Sequence, residues 1–108
     1  QAAPARALIE AGVPVALATD FNPGTSFTPS MPMVIALACR LLALSVDEAL
    51  IACTINAAHA LRLGALVGSL EVGKRADVLV CGVPDYRWIG YAFGFNPVRS
   101  VILAGRLV

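Results

Sequence analysis

Asp20 closes a run of apolar residues, and the positions just after it, Asn22, Gly24 and Thr25, bring an amide, a bare backbone and a hydroxyl into one short loop. A carboxylate so placed can ligate a metal ion or take a proton from water, and the amide and hydroxyl can hold a polar ligand. Gly24 lets the backbone approach such a ligand closely. The competing account is ordinary turn chemistry, with Asp20 opening an Asx-turn through Asn22-Pro23-Gly24 and with Asn22 and Thr25 as turn formers. The residues alone leave both accounts open.

The elements that must position these groups follow from the pattern on either side. Residues 2–11 have helical composition and stop at Gly12, and 13–18 are apolar on every side, which suits a strand buried on both faces. Such strands belong to parallel sheets covered by helices, and in α/β barrels the carboxyl ends of the strands carry catalytic residues. Residues 21–29 are loop formers throughout. Ser30 and Pro32 start a helix expected over 33–44, and Ser45-Val46-Asp47-Glu48 is a capping box opening a helix that runs to about Leu63.

After Gly64 the chain changes character. Glycine-punctuated polar residues 68–77 lead into a β-rich run at 78–81, a short helix is expected within 86–93, and 98–108 reads as a hairpin turning near Ala104-Gly105. The charges Glu71, Lys74, Arg75 and Asp77 are expected to be solvated. The side chains Met31, Met33, Tyr86, Trp88, Tyr91 and Phe93 are expected in the core. His59, the one histidine, is expected to pack or face solvent, because no partner ligand motif accompanies it. Cys39, Cys53 and Cys81 are odd in number and set in apolar runs, which reads as buried reduced thiols of a cytoplasmic protein.

Composition excludes several function classes. The net charge is +1 with scattered Lys and Arg, so nucleic acid is not an expected partner. The longest apolar stretch, 31–44, is interrupted by Arg40 and falls short of the roughly 18 residues that span a bilayer, so no membrane is expected. No phosphate loop, His-x-x-x-His or Ser or Cys nucleophile motif is present. Yet 58% of the residues are apolar and 14% charged, with a mean hydropathy of +0.79. A domain of roughly 100 residues buries only about two-thirds of its unfolded surface. The excess apolar surface therefore needs a cover, and with Gln1 at the start the sequence is expected to be a piece of a longer polypeptide.

The stretch from Thr54-Ile55-Asn56-Ala57-Ala58 through Gly68-Ser69-Leu70-Glu71-Val72-Gly73-Lys74-Arg75-Ala76-Asp77 resembles the shared ending of the amidohydrolase superfamily. Three further stretches, Thr19-Asp20-Phe21-Asn22-Pro23-Gly24-Thr25, Ser30-Met31-Pro32-Met33 and Phe93-Gly94-Phe95-Asn96-Pro97-Val98, resemble the imidazolonepropionase family within it.

The resemblance implies an α/β fold, the carboxy-terminal fragment of a metal-dependent hydrolase (β/α)8 barrel plus strands of a composite β-sandwich. Residues 1–66 would be the last βα unit and closing helices, and 67–108 the sandwich strands. It implies that Asp20 is both catalytic residue and ligand of a single Zn or Fe ion, and that Asn22, Gly24 and Thr25 contact a small-molecule substrate. The expected reaction is hydrolysis of a cyclic amide in histidine degradation, with Asp20 passing the proton from water to the leaving nitrogen. The further ligands would come from the upstream part of the same polypeptide, and a homodimer is left open. The alternatives are another amidohydrolase substrate and a non-catalytic interaction module.

Overall fold

The computed structural model describes residues 2–108. The first helix, α1 (Ala5–Glu10), ends where Gly12 takes a positive φ of 75°, the stop expected of a glycine at that place. Residues 13–19 are extended but pair into no strand within this chain, where the sequence leads to a strand buried on both faces. The physical reason is that a strand is defined by its neighbours, and among the described residues none runs beside this segment. It is held instead by Leu17 N–H donating to Ala52 O at 3.0 Å and Asn56 Nδ2 donating to Val15 O at 2.9 Å. Val15, Leu17 and Thr19 are half-buried while Ala16, Ala18 and Asp20 are exposed, the period of two that an extended chain imposes.

Helix α2 (Met31–Leu41) begins as expected, with Ser30 Oγ accepting from Met33 N–H and Pro32 in the first turn. It ends three residues earlier than 44, because Ala43 takes a left-handed φ of 55°. Helix α3 (Val46–Cys53) carries the full capping box between Ser45 and Glu48. The single helix expected to Leu63 is broken at Thr54 (φ −116°, ψ −92°), after which α4 (Ile55–Ala60) follows. Thr54 Oγ1 donates to Leu50 O at 2.6 Å, the back-bonding by which threonine competes with the helix ladder.

Helix α5 (Arg87–Tyr91) lies on α2 and α3, with Gly90 buried at the contact. A Cβ there would come within 2.6 Å of Val46 Cγ2. The core joins Ala5, Ile35, Ala38, Leu44 and Ala49, with Ile9, Leu17 and Ile89 packed against them. The expectation that the aromatics and methionines are core is corrected: Tyr86, Trp88, Tyr91, Phe93 and Met33 are all exposed and Met31 is half-buried, because the described chain offers no apolar partner over those faces. The three cysteines are free but half-buried rather than buried, and burial raises the thiol pKa values of Cys39 and Cys53.

Strands β1 (Val78–Cys81), β2 (Val98–Leu103) and β3 (Arg106–Leu107) form one antiparallel sheet in that order. Ala104 and Gly105 both have positive φ, 49° and 80°, the signature of the tight hairpin turn expected there. Asp77 is not merely solvated: its Oδ1 accepts from Ala104 N–H at 2.9 Å and so fastens that turn. Lys74 likewise is only 12% exposed at its side chain and pairs with Glu71 at 2.9 Å. Among the described residues no helix is long and apolar enough to cross a membrane.

The capping box gives a first prediction. Replacing Ser45 by Ala removes a side-chain acceptor from the first turn of α3 and is expected to cost about 1 kcal/mol of stability, read from denaturant unfolding of the complete protein. A second concerns pH. Glu48 is held below the ordinary carboxylate range by the Ser45 backbone N–H and then by the Arg6 guanidinium at 2.6 Å. Asp85 is lowered to about 2, first by its side-chain bonds from Arg87. Because the folded pKa lies below the unfolded one, the stability from both groups is whole above the ordinary range, about 4. It is lost as the pH falls through the folded values. Glu48→Gln should flatten the acid limb of the stability profile; an unchanged limb would remove Glu48 from this role.

Candidate active site

The site is built where the extended segment ends. Asp20 has a φ of 49°, a left-handed conformation that aspartate tolerates better than most residues and one that clusters at functional sites. Its side chain is exposed, and among the described residues its carboxylate enters no ion pair or hydrogen bond.

The Asx-turn exists, but Asn22 makes it and not Asp20. Asn22 Oδ1 accepts from Gly24 N–H at 2.9 Å and Thr25 N–H at 2.8 Å. Its Nδ2 donates to Asp20 O at 2.6 Å and to Thr25 Oγ1 at 3.2 Å. Every valence of the Asn22 amide is thus engaged within the loop, which leaves the Asp20 carboxylate free. A Cβ at Gly24 would stand 3.3 Å from Asn22 Oδ1, so glycine serves this turn as well as any approach to a ligand.

One residue that the sequence did not single out, Ser26, completes the loop. Ser26 Oγ donates to Thr19 O at 2.6 Å, and Asn22 pairs with Ser26 as an isolated antiparallel bridge. Together they tie the loop's two ends and set Asp20 at a fixed corner. The exposed rings of Phe21 and Phe27 stack at 5.4 Å beside it. Nothing in the residue types distinguishes Ser26 from its neighbours; only the fold brings it to Thr19.

Zinc needs four ligands, or three and a water. Among the described residues no group of three or more His, Cys, Asp or Glu gathers to hold a metal ion. His59 is engaged elsewhere, its ring lying against Gly64 so closely that a Cβ there would come within 2.4 Å. Asp20, exposed and unpaired, therefore fits a metal as the donor of one ligand. Past the loop, Pro29–Met33 face Gly94, Phe95 and Asn96 across an open cleft of about 640 Å³.

A free aspartate thus ends an extended segment ahead of a self-braced polar loop, and the chain belongs to the amidohydrolase family, whose model matches residues 1–108. It is similar to the imidazolonepropionase of Herpetosiphon aurantiacus, 57% identical over all of this chain and 25% of that protein. With the imidazolonepropionase of Geobacillus kaustophilus it shares 54% identity over all of this chain and 26% of that protein. A crystal structure from Bifidobacterium longum, provisionally described as a prolidase, superposes with a TM-score of 0.76 at 35% identity, covering 96% of this chain and 25% of that one. The chain spans about a quarter of the length of the curated relatives it matches.

Proposed function

We propose that this chain is the carboxy-terminal portion of a metal-dependent cyclic amidohydrolase that converts 4-imidazolone-5-propanoate to N-formimidoyl-L-glutamate in histidine breakdown. The observation that carries this reading is the similarity to imidazolonepropionases along the whole chain, site loop included. Residues 13–19 are read as the last barrel strand, whose unpaired backbone groups call for neighbours. Residues 1–66 supply that βα unit and its helices, and 67–108 the strands of the small sandwich, with α5 reaching back onto α2 and α3.

Asp20 would hold one Zn or Fe ion together with ligands from the rest of the polypeptide. Such an ion makes water nucleophilic near neutral pH. Asp20 takes the proton from the attacking water as its oxygen adds to the ring carbonyl. The carbonyl carbon–nitrogen bond then breaks, and Asp20 returns the proton to the leaving nitrogen. Asn22, Gly24 and Thr25 contact the substrate, with the bonds from Asn22 to Gly24 and Thr25 holding the three in one arrangement. Cytoplasmic location accords with a soluble small-molecule substrate.

One observation favours a second substrate class, the superposition with the B. longum structure. A single assay separates the two readings. The complete protein, supplied with Zn or Fe, is expected to turn over imidazolonepropionate and to leave Xaa-Pro dipeptides intact. Dipeptide cleavage without ring opening would replace the substrate, and no turnover of either would overturn the enzymatic reading.

A further inference from the structure

We propose that Arg40 is a positioning residue for the substrate loop, acting from the far end of α2 through the segment 92–97. The proposal rests on the assignment of that loop as substrate-binding. The loop runs straight into the start of α2, and Pro29–Met33 there are faced by Gly94, Phe95 and Asn96. That facing segment leaves α5 and enters β2, so its two anchors decide where it lies.

The anchor at the β2 end is backbone. Pro97 is buried, its carbonyl accepts from Gly82 N–H at 2.9 Å, and Asn96 Oδ1 accepts from Val98 N–H at 3.0 Å. The anchor at the α5 end is Arg40. Its Nη1 donates to Gly90 O at 2.9 Å and to Ala36 O at 3.2 Å, and its Nη2 donates to Tyr91 O at 2.5 Å. The guanidinium carbon also stands 5.0 Å from the centroid of the Phe93 ring. One planar, always-charged group thereby holds the last carbonyls of α5, a turn of α2 and the first aromatic of the segment. A lysine, a single point charge without the fork, cannot serve all of these at once.

The consequence reaches the site because the segment is one wall of the cleft whose other wall is the loop's exit into α2. Asp20 lies at the loop's entry, which the Ser26 to Thr19 bond fixes, whereas Gly24 and Thr25 stand nearer the exit. Loosening Arg40 should therefore disturb the substrate-holding part of the loop more than the proton-transferring carboxylate. A loss of binding shared by ground and transition states appears in KM and not in kcat.

The test uses the complete protein with Arg40→Ala, Arg40→Lys and Phe93→Leu. For Arg40→Ala we expect KM to rise about tenfold with kcat held within about twofold, Lys falling between Ala and wild type. The amides of Gly24 and Thr25, both bonded to Asn22 Oδ1, should exchange with deuterium faster in Arg40→Ala. Faster exchange confined to 90–97 with KM unchanged would reduce Arg40 to a local support and overturn the proposal. If Arg40→Ala does not fold, Arg40→Lys and Phe93→Leu decide by the same readouts. If the wild type shows no turnover, the substrate reading fails by itself, and the exchange measurement still decides whether Arg40 governs the loop.

Discussion

Asp20→Asn in the complete protein is expected to lower kcat by about 10³-fold while leaving its unfolding transition in place. Loss of a proton-transferring group costs on the order of 10²–10⁴ in rate, and loss of a ligating charge adds to it. Asparagine is the informative replacement because it tolerates the left-handed φ of 49° about as well as aspartate does. Among the described residues the Asp20 side chain enters no hydrogen bond or ion pair, so the change leaves the bonds that hold the loop intact. Alanine would mix backbone strain into the result. The kcat of the purified variant and its metal content should both be measured. Near-normal turnover with a full complement of metal would take Asp20 out of the site, as a non-catalytic interaction module requires.

Gly68→Ala is expected to cost about 3 kcal/mol of stability, the sum of two separable effects. Gly68 has a φ of +95°, and its added Cβ would stand 2.6 Å from the Ala58 Cβ and 3.0 Å from the Ile55 Cα. A left-handed backbone costs an ordinary residue roughly 1–2 kcal/mol, and forcing a methyl into a packed contact roughly 1–3 kcal/mol. Gly73 is the control: its φ is +92°, but a Cβ there meets nothing within 4 Å. Denaturant midpoints of the complete protein should show Gly73→Ala losing the backbone part alone. Equal losses at the two positions would place the whole cost in the backbone and none in the contact of residues 54–58 with the turn at 68.

Several features are legible in the residues alone because the interactions behind them are local. Gly12 as a stop, Ser30 with Pro32 as a start, the Ser45–Glu48 box and the Ala104-Gly105 turn each involve hydrogen bonds or dihedrals spanning a few residues. Where the fold departs from the expected pattern, a distant or competing partner intervenes. The helix through 54 is broken by a threonine hydroxyl that bonds its own ladder. Asp77 is a fastener for a turn 27 residues away. The aromatics of α5, Trp88 and Tyr91, pack on each other at the surface and not in the core, where Gly90 makes the contact with Val46 and Cys39.

The site divides the same way. Asp20, Asn22, Gly24 and Thr25 stand out from their types and order, and the amidohydrolase resemblance lies in contiguous stretches, so the identity of the chain's family is written in its residues. Which of Asp20 and Asn22 builds the turn, and which is left with a free carboxylate, is decided by the fold. The left-handed φ at Asp20 and the Ser26 bond to Thr19 settle it, and neither follows from composition or spacing. Capping and turn chemistry acts within about four residues and so is carried by the chain alone; pairing, burial and the aim of a side chain depend on groups brought together from far along it.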